Sequence, residues 1–401
     1  MKKNKSFTSK QAYDILYWGL IWVVILYDII QYYIGFSYVD ELFAAWMVIL
    51  SAIYCRNINY KREFFVCLGI FLFYFIYSWY WGENVREAVW MDFLIQLKPY
   101  LVFYSACLMN LKLDEYYKRK LNSKCKWLAI FMIPFGILTQ FGVITTDAGG
   151  PRFTSMVTFI GLLYLYSSRR KRKNVYWTFV IWTIAFIPMK AKFFGFYALA
   201  VFLMFVLKNE RIKINLKYLV MGIVGLFFIY IVAYDKIQFY FMNGSESEIM
   251  FARPALFYGA LEILKSYFPF GSGLGSYASF ASAEYFSNLY WKMDITRFSE
   301  LSEGNFLCDT FFPSLAQFGI VGIFFFVLFW KYRIHEFNEC YSIDNVYIYK
   351  CLYLIFGYFM IESMADSSYV QNRGLFMFLI MAMFINELKT KQDIIIKNKV
   401  C

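Results

Sequence analysis

Three groups of side chains in this 401-residue chain have types and settings suited to chemistry on an anionic substrate that carries hydroxyl groups. The first is Arg253, followed at once by Pro254. Proline fits the first turn of a helix, where its missing N–H costs nothing. Arg253 is therefore predicted at a helix start, where free N–H groups and the helix dipole favour an anion. The second group is basic: Arg152 in TTDAGGPRFTS, Lys190 and Lys192 in PMKAKFF, and Arg297 and Arg373 further along. The third is acidic, comprising Asp294, Glu300, Glu303 and Asp309. Of these, Glu303 and Asp309 are the candidates for a general base toward a sugar hydroxyl, provided the carboxylate can reach the proton removed.

Each group also has a plainer account. Basic residues at the edges of apolar spans snorkel to the interface or neutralise acids, here Asp147, Glu246, Glu248 or Glu262. Glu303 and Asp309 are too far apart in sequence to be neighbours on one helical turn, and Asp309 could equally cap a helix beginning near Thr310. Tyr277, Tyr285, Tyr290 and Trp291 could stack on sugar rings or be buried at a membrane interface. The run GSGLGS from Gly271 has neither a parallel-sheet setting nor a following Lys-Ser/Thr, so it reads as a tight turn rather than a nucleotide loop. Lys98, beside Pro99, reads as buried or snorkelling.

The elements that must position these residues are apolar helices. The chain is 60% hydrophobic and 17% charged, and apolar runs near the length needed to cross a hydrocarbon core of ~30 Å recur along it. This predicts an all-α polytopic membrane protein. The 47 Phe, 35 Tyr and 11 Trp suit interfacial aromatic belts. Spans are predicted at 13–35, 41–55, 63–81, 88–111, 127–143, 154–168, 175–189, 193–207, 218–234, 312–330, 346–364 and 374–388. About nine helices then fall in 1–234, a large, partly helical extracytoplasmic segment occupies 235–311, and 312–401 holds the last helices and a cytoplasmic tail.

Basic residues orient the bundle. The lysines of MKKNKSFTSK, the cluster from Lys112 to Lys126, RRKRK at 169–173 and the lysines of the tail fall on one side of about twelve spans, which the positive-inside tendency makes cytoplasmic, with both termini there. The net charge of +12 is thus mostly a topology signal, and without a soluble basic face it does not indicate nucleic-acid binding. No small-residue cleavage site follows the first apolar run, which reads as a start-anchor helix. Eight cysteines without CxxC suggest no disulfide framework, and the single histidine, His335, excludes a multi-histidine metal site. Basic residues left against this bias each call for a reason: Arg86, Lys98, Lys236, Lys265 and Lys292, besides those named above.

Arg253 at a helix start, then Pro269, the turn of Gly271, Gly273 and Gly275, a polar stretch, Asp309 and the segment Phe318-Gly319-Ile320-Val321-Gly322 together resemble the O-antigen polymerase and ligase superfamily. The helix layout, with one large outer segment before the tenth span, is similar to Wzy-type polysaccharide polymerases. The residue motifs cover only about 253–322. The resemblance implies a glycosyltransferase that needs no metal or other cofactor and acts on undecaprenyl-diphosphate-linked oligosaccharide at the outer face of a bacterial cytoplasmic (inner) membrane. It implies the lipid bilayer and a candidate chain-length regulator as partners, in capsule or O-antigen synthesis.

Arg253 matches the family's functional arginine of the large loop, and Arg152 an earlier outer-loop arginine. Lys190 and Lys192 stand where many relatives carry Ser-Arg, a departure that bears on bidentate phosphate recognition. Ligase members present a histidine beside an asparagine, where this chain reads Glu303-Gly304-Asn305, which favours polymerase over ligase unless Glu303 replaces the base. A flippase of similar span number is the alternative from another class. It should show repeated halves and charges along a central path, and no convincing internal repeat is present.

Overall fold

In a computed structural model, residues 17, 19, 38–141, 151–168, 172–207, 211–212, 252–294, 301, 307–342 and 345–400 are described. The described chain is all-helical, without strands. In order come α1 (Val39–Ile53), α2 (Asn59–Trp81), α3 (Arg86–Leu108), α4 (Glu115–Gln140), α5 (Pro151–Ser167), α6 (Arg172–Thr183) and α7 (Ala191–Val201). After these come α8 (Ala252–Ser266), α9 (Phe280–Glu284) and α10 (Leu289–Lys292). The chain closes with α11 (Phe311–Ser314), α12 (Gly319–Glu339), α13 (Val346–Ser363) and α14 (Asn372–Val400). A 3-10 turn, Leu315–Phe318, joins α11 to α12.

Three stretches among the described residues are long and apolar enough to cross a membrane: Asn59–Trp81, Glu115–Gln140 and Phe311–Glu339. At 1.5 Å per residue the shortest of them extends about 34 Å, more than the hydrocarbon core. The α2 helix turns Phe65, Val66, Phe73 and Ile76 outward, leaving apolar side chains where a water-facing helix would carry charge. This fits contact with lipid. Several other predicted spans are helical but shorter. The α6 helix stops at a 3-10 turn ahead of Pro188, and α7 passes into a single π turn over Phe202–Val206. The predicted spans 13–35, apart from residues 17 and 19, and 218–234 lie outside the described residues.

Two helices organise the bundle. The α3 helix packs against α1, α2 and α14, and α14 also meets α5 and α13. From Leu375 to Ile385 the side chains of α14 are almost wholly buried, as expected of a helix that is apolar all round. Buried Lys98 of α3 is paired with Asp40 and Glu41 of α1, so it is held by acids rather than snorkelling.

A second, smaller core carries the large segment. Ala255, Leu256 and Ile263 of α8 pack with Tyr277, Leu289, Tyr290, Leu307 and Ala316. The glycine run between α8 and α9 is the predicted tight turn, with φ of +80° at Gly271, +90° at Gly273 and +70° at Gly275. A Cβ at Gly275 would lie 2.7 Å from the Ala88 carbonyl oxygen, and one at Gly271 would lie 2.3 Å from the Gly319 nitrogen, so only glycine fits.

Four of the turn's N–H groups are used within the protein. Gly271 donates to the Tyr267 carbonyl, Gly273 to that of Gln317, Leu274 to Ser78 Oγ and Gly275 to Asp92 Oδ2. Asp92 also accepts from Gln317 Nε2 at 2.8 Å and from Gln96 Nε2 at 3.3 Å. One buried carboxylate on α3 therefore clamps both the glycine turn and the residues leading into α12.

Replacing Asp92 with leucine strands three buried donors, each worth about 1–3 kcal/mol. The expected result is a clearly lower unfolding midpoint in detergent by tryptophan fluorescence, with Asp92→Asn losing less. An unchanged midpoint for Asp92→Leu would show that the clamp carries no load.

Candidate functional site

Four of the predicted site residues meet at one end of the bundle with two acids that the sequence reading passed over. Arg253 stands in the first turn of α8, as predicted, and its Nη2 donates to Asp309 Oδ2 at 3.5 Å. Lys192, in the first turn of α7, is paired with Glu362 at the end of α13 and lies 2.7 Å from Asp366 in the turn that follows. Arg373, in the first turn of α14, contacts both carboxylate oxygens of Asp366 at 3.2 Å. Ser368 Oγ donates to Glu362 at 3.1 Å. The charges of Asp366 and Lys192 both act on Asp309, so the two sets of pairs form one field.

Packing holds the two acidic turns together. Phe311, two residues after Asp309, stacks on Tyr369, three after Asp366, with ring centroids 4.3 Å apart and planes at 11°. The hydroxyl of Tyr369 meets that of Tyr100 on α3 at 3.1 Å. Both loops are thereby tied to the central helix of the bundle.

The cluster has a buried half and an open half. Side-chain exposure is 9% for Lys192, 6% for Glu362, 12% for Asp366 and 7% for Arg373, against 41% for Arg253 and 38% for Asp309. Burial acts to raise the pKa of Asp366, but Arg373 and then Lys192 outweigh it and hold that carboxyl below the ordinary range. For Asp309 the balance runs the other way. Burial raises it, the Arg253 charge opposes this, the Asp366 charge reinforces it, and the net shift is upward.

The neighbouring acids thus have opposite tendencies: Asp366 is shifted toward the charged form by its cation partners, while Asp309 is shifted toward the protonated one by burial. Arg253 Nε and the wholly buried Thr310 hydroxyl have no hydrogen-bond partner among the described residues, so the open half retains capacity for polar contacts.

The remaining candidates are placed differently. Lys190 precedes α7 and is half-buried, outside the set of ion pairs just described. Arg152 is in the first turn of α5 at the same end, and Ser155, one turn on, lies beside Tyr358, which in turn neighbours Glu362 and Arg373. Arg297 and Glu303 lie outside the described residues, as do Glu300 and Lys236.

The structure decides between readings that the sequence leaves open. Asp309 caps nothing: α11 begins after Thr310 without a side-chain cap, and the carboxylate turns to Arg253 instead. Tyr277 and Tyr290 are fully buried, with the Tyr277 hydroxyl donating to the Leu256 carbonyl and the Tyr290 hydroxyl accepting from the Ala278 N–H, so neither can stack on a sugar. Tyr285 and Trp291 are exposed at 41% and 63% and keep that option. Among the cations placed against the topology bias, Lys192 and Arg373 are taken by Glu362 and Asp366, Lys265 by its helix neighbour Glu262 and Lys292 by Glu83, while Asp147, Glu246 and Glu248 lie outside the described residues.

The signal for Glu362 and Asp366 was present in ESMADSSYVQNR, where two acids sit in and beside the short connection that also carries Arg373. A search for cations against the topology bias looks past acids. Among the described residues no group of three or more His, Cys, Asp or Glu side chains is disposed to hold a metal ion.

The two halves respond differently to truncation. Lys192→Met leaves two buried carboxylates short of a partner, a change of the kind that costs about 3–5 kcal/mol. Arg253→Ala breaks a long, half-exposed pair worth less than about 1 kcal/mol. Thermal unfolding of the two variants side by side should show a large loss only for Lys192→Met, and equal losses would mean that Arg253 is a structural ion too. Against known protein families and curated protein sequences, the chain has no match.

Proposed function

We propose that the chain is a polysaccharide polymerase of the O-antigen or capsule type. It transfers a growing glycan from undecaprenyl diphosphate to a hydroxyl of a second lipid-linked repeat unit. The observation that carries this is the open Arg253–Asp309 pair, a cation and a carboxylate with a raised pKa, adjoining a rigid charged support. The resemblance of residues 253–322 to the polymerase superfamily supplies the substrate class. In the topology that accompanies this reading, about twelve spans cross a bacterial cytoplasmic membrane, both termini are cytoplasmic, and the segment 235–311 faces outward.

The acceptor hydroxyl oxygen attacks the anomeric carbon of the donor sugar. The bond from that carbon to the diphosphate oxygen breaks, and its electron pair leaves with the diphosphate. Arg253 meets the negative charge that develops there, which is where a fixed cation lowers the barrier most. At 3.5 Å its contact with Asp309 is loose enough to be exchanged for a phosphate oxygen. That exchange frees Asp309 to accept the hydroxyl proton. Glu303 is the other candidate base. Lys192 and Arg373, held by Glu362 and Asp366, form a fixed ion-paired support behind the site rather than direct phosphate contacts. Because diphosphate is already a good leaving group, positioning contributes more than base strength.

Purified protein given its undecaprenyl-diphosphate repeat unit, with EDTA and no nucleotide sugar, should produce a ladder of lengthening lipid-linked glycans. Arg253→Ala should abolish the ladder while the protein stays folded in the membrane. Normal chain lengths in that variant would overturn the assignment, and transport of intact substrate across liposomes without elongation would make the protein a flippase. Asp309 accepts a proton only when ionised. Activity should therefore fall as pH drops through its raised pKa, at a pH above the ordinary aspartate value of about 3.9. An acid limb unmoved by Asp309→Asn would transfer the base role elsewhere.

A further inference from the structure

The bundle holds a cavity of about 500 Å³ between α2, α3 and α12. It runs from Arg62 and Arg333 at one end, past Val66, Phe71 and Phe325, to Phe318 near the glycine turn. From Arg62 to Tyr74 on α2 this is about 18 Å of helix, more than half of a hydrocarbon core. The walls are mostly apolar. Val66 on its lip is 54% exposed on the outward face of a membrane-length helix, so the cavity opens sideways.

Charge is confined to one end. Arg62 is exposed, as are Lys61 next to it in sequence and Lys331, two residues before Arg333. Arg333 is 2% exposed, with Nη1 and Nη2 on Glu336 and Glu63, and its Nε is buried without a partner. Glu63 is the one acid in the lining against Arg62 and Arg333, and Glu336 behind it is shared by Arg333 and Lys389, so the mouth remains net positive.

We propose that this cavity binds an anionic phospholipid, with an acyl chain between α2 and α12 and the headgroup phosphate at Arg62 and Arg333. An apolar slot with a cationic mouth matches that molecule and disfavours a zwitterionic one, because each basic residue near an anionic lipid surface adds attraction. On the proposed topology the mouth faces the cytoplasmic leaflet, far from the transfer site. The proposal relies on that orientation only for the leaflet.

The full chain, purified from nanodiscs holding equal phosphatidylglycerol and phosphatidylcholine with the same acyl chains, should retain phosphatidylglycerol about fivefold or more over phosphatidylcholine, read by mass spectrometry of bound lipid. Arg62→Glu, at an exposed position that leaves the Arg333 network intact, should bring the ratio near one. Val66→Trp, filling the slot at its lip, should lower retention of both lipids. Equal retention by the unmodified protein, a ratio unmoved by Arg62→Glu, or retention unmoved by Val66→Trp would overturn the proposal. Displacement of phosphatidylglycerol by undecaprenyl phosphate at one-tenth its amount would also overturn it, assigning the slot to the lipid carrier. These measurements read lipid alone, so their failure leaves the polymerase reading standing, and the reverse holds too.

Discussion

The structure depends on charges that have to be paired because they sit in an apolar bundle. Lys192, Glu362, Asp366 and Arg373 are nearly buried, and any one of them alone would cost several kcal/mol. Together they fix where α7, α13 and α14 begin and end relative to one another, since the pairs form only when those three termini meet. The Asp309 turn then docks on this support through the Phe311–Tyr369 stack. The outermost pair, Arg253–Asp309, is left half-exposed beside a field it does not have to stabilise. A rigid charged base and a looser pair above it is an arrangement in which one cation can change partners without unfolding its surroundings.

The same logic recurs at the other end. Arg333, Glu336, Tyr60, Lys389 and Glu63 form a second network that joins α2, α12 and α14. Between the two networks the contacts are largely aromatic and aliphatic, with α14 as the common spine. Polar groups in such a bundle are costly and therefore informative: the buried charges described above mark either a joint between helices or the site. Asp92 belongs to the joints. It couples α3 to the glycine turn and to the entry of α12, setting the height at which α8 presents Arg253.

Legibility followed the range of the interaction. Arg253-Pro254 as a helix start, the end of that helix ahead of Pro269 and the glycine turn are local, governed by backbone sterics over a few residues, and they lie where the sequence places them. The burial of Lys98 was legible from its apolar flanks, but its partners Asp40 and Glu41 belong to a different helix. Asp309 was open between cap and base because both uses need only a carboxylate near a helix start. The choice was made by Arg253, 56 residues away in the chain.

By itself, then, the sequence determined the all-helical class, the apolar composition suited to a membrane, the punctuation of the large segment and the cations in unusual places. These follow from composition and from neighbours along the chain. Only the tertiary structure decided which cations are spoken for. Ion pairing acts through space over a few ångströms, and the acids that claim Lys192 and Arg373 come from the ends of helices distant in sequence. Tyr277 and Tyr290 were settled in the same way, because whether an aromatic ring stacks on a ligand or fills a core depends on what the fold lays against it.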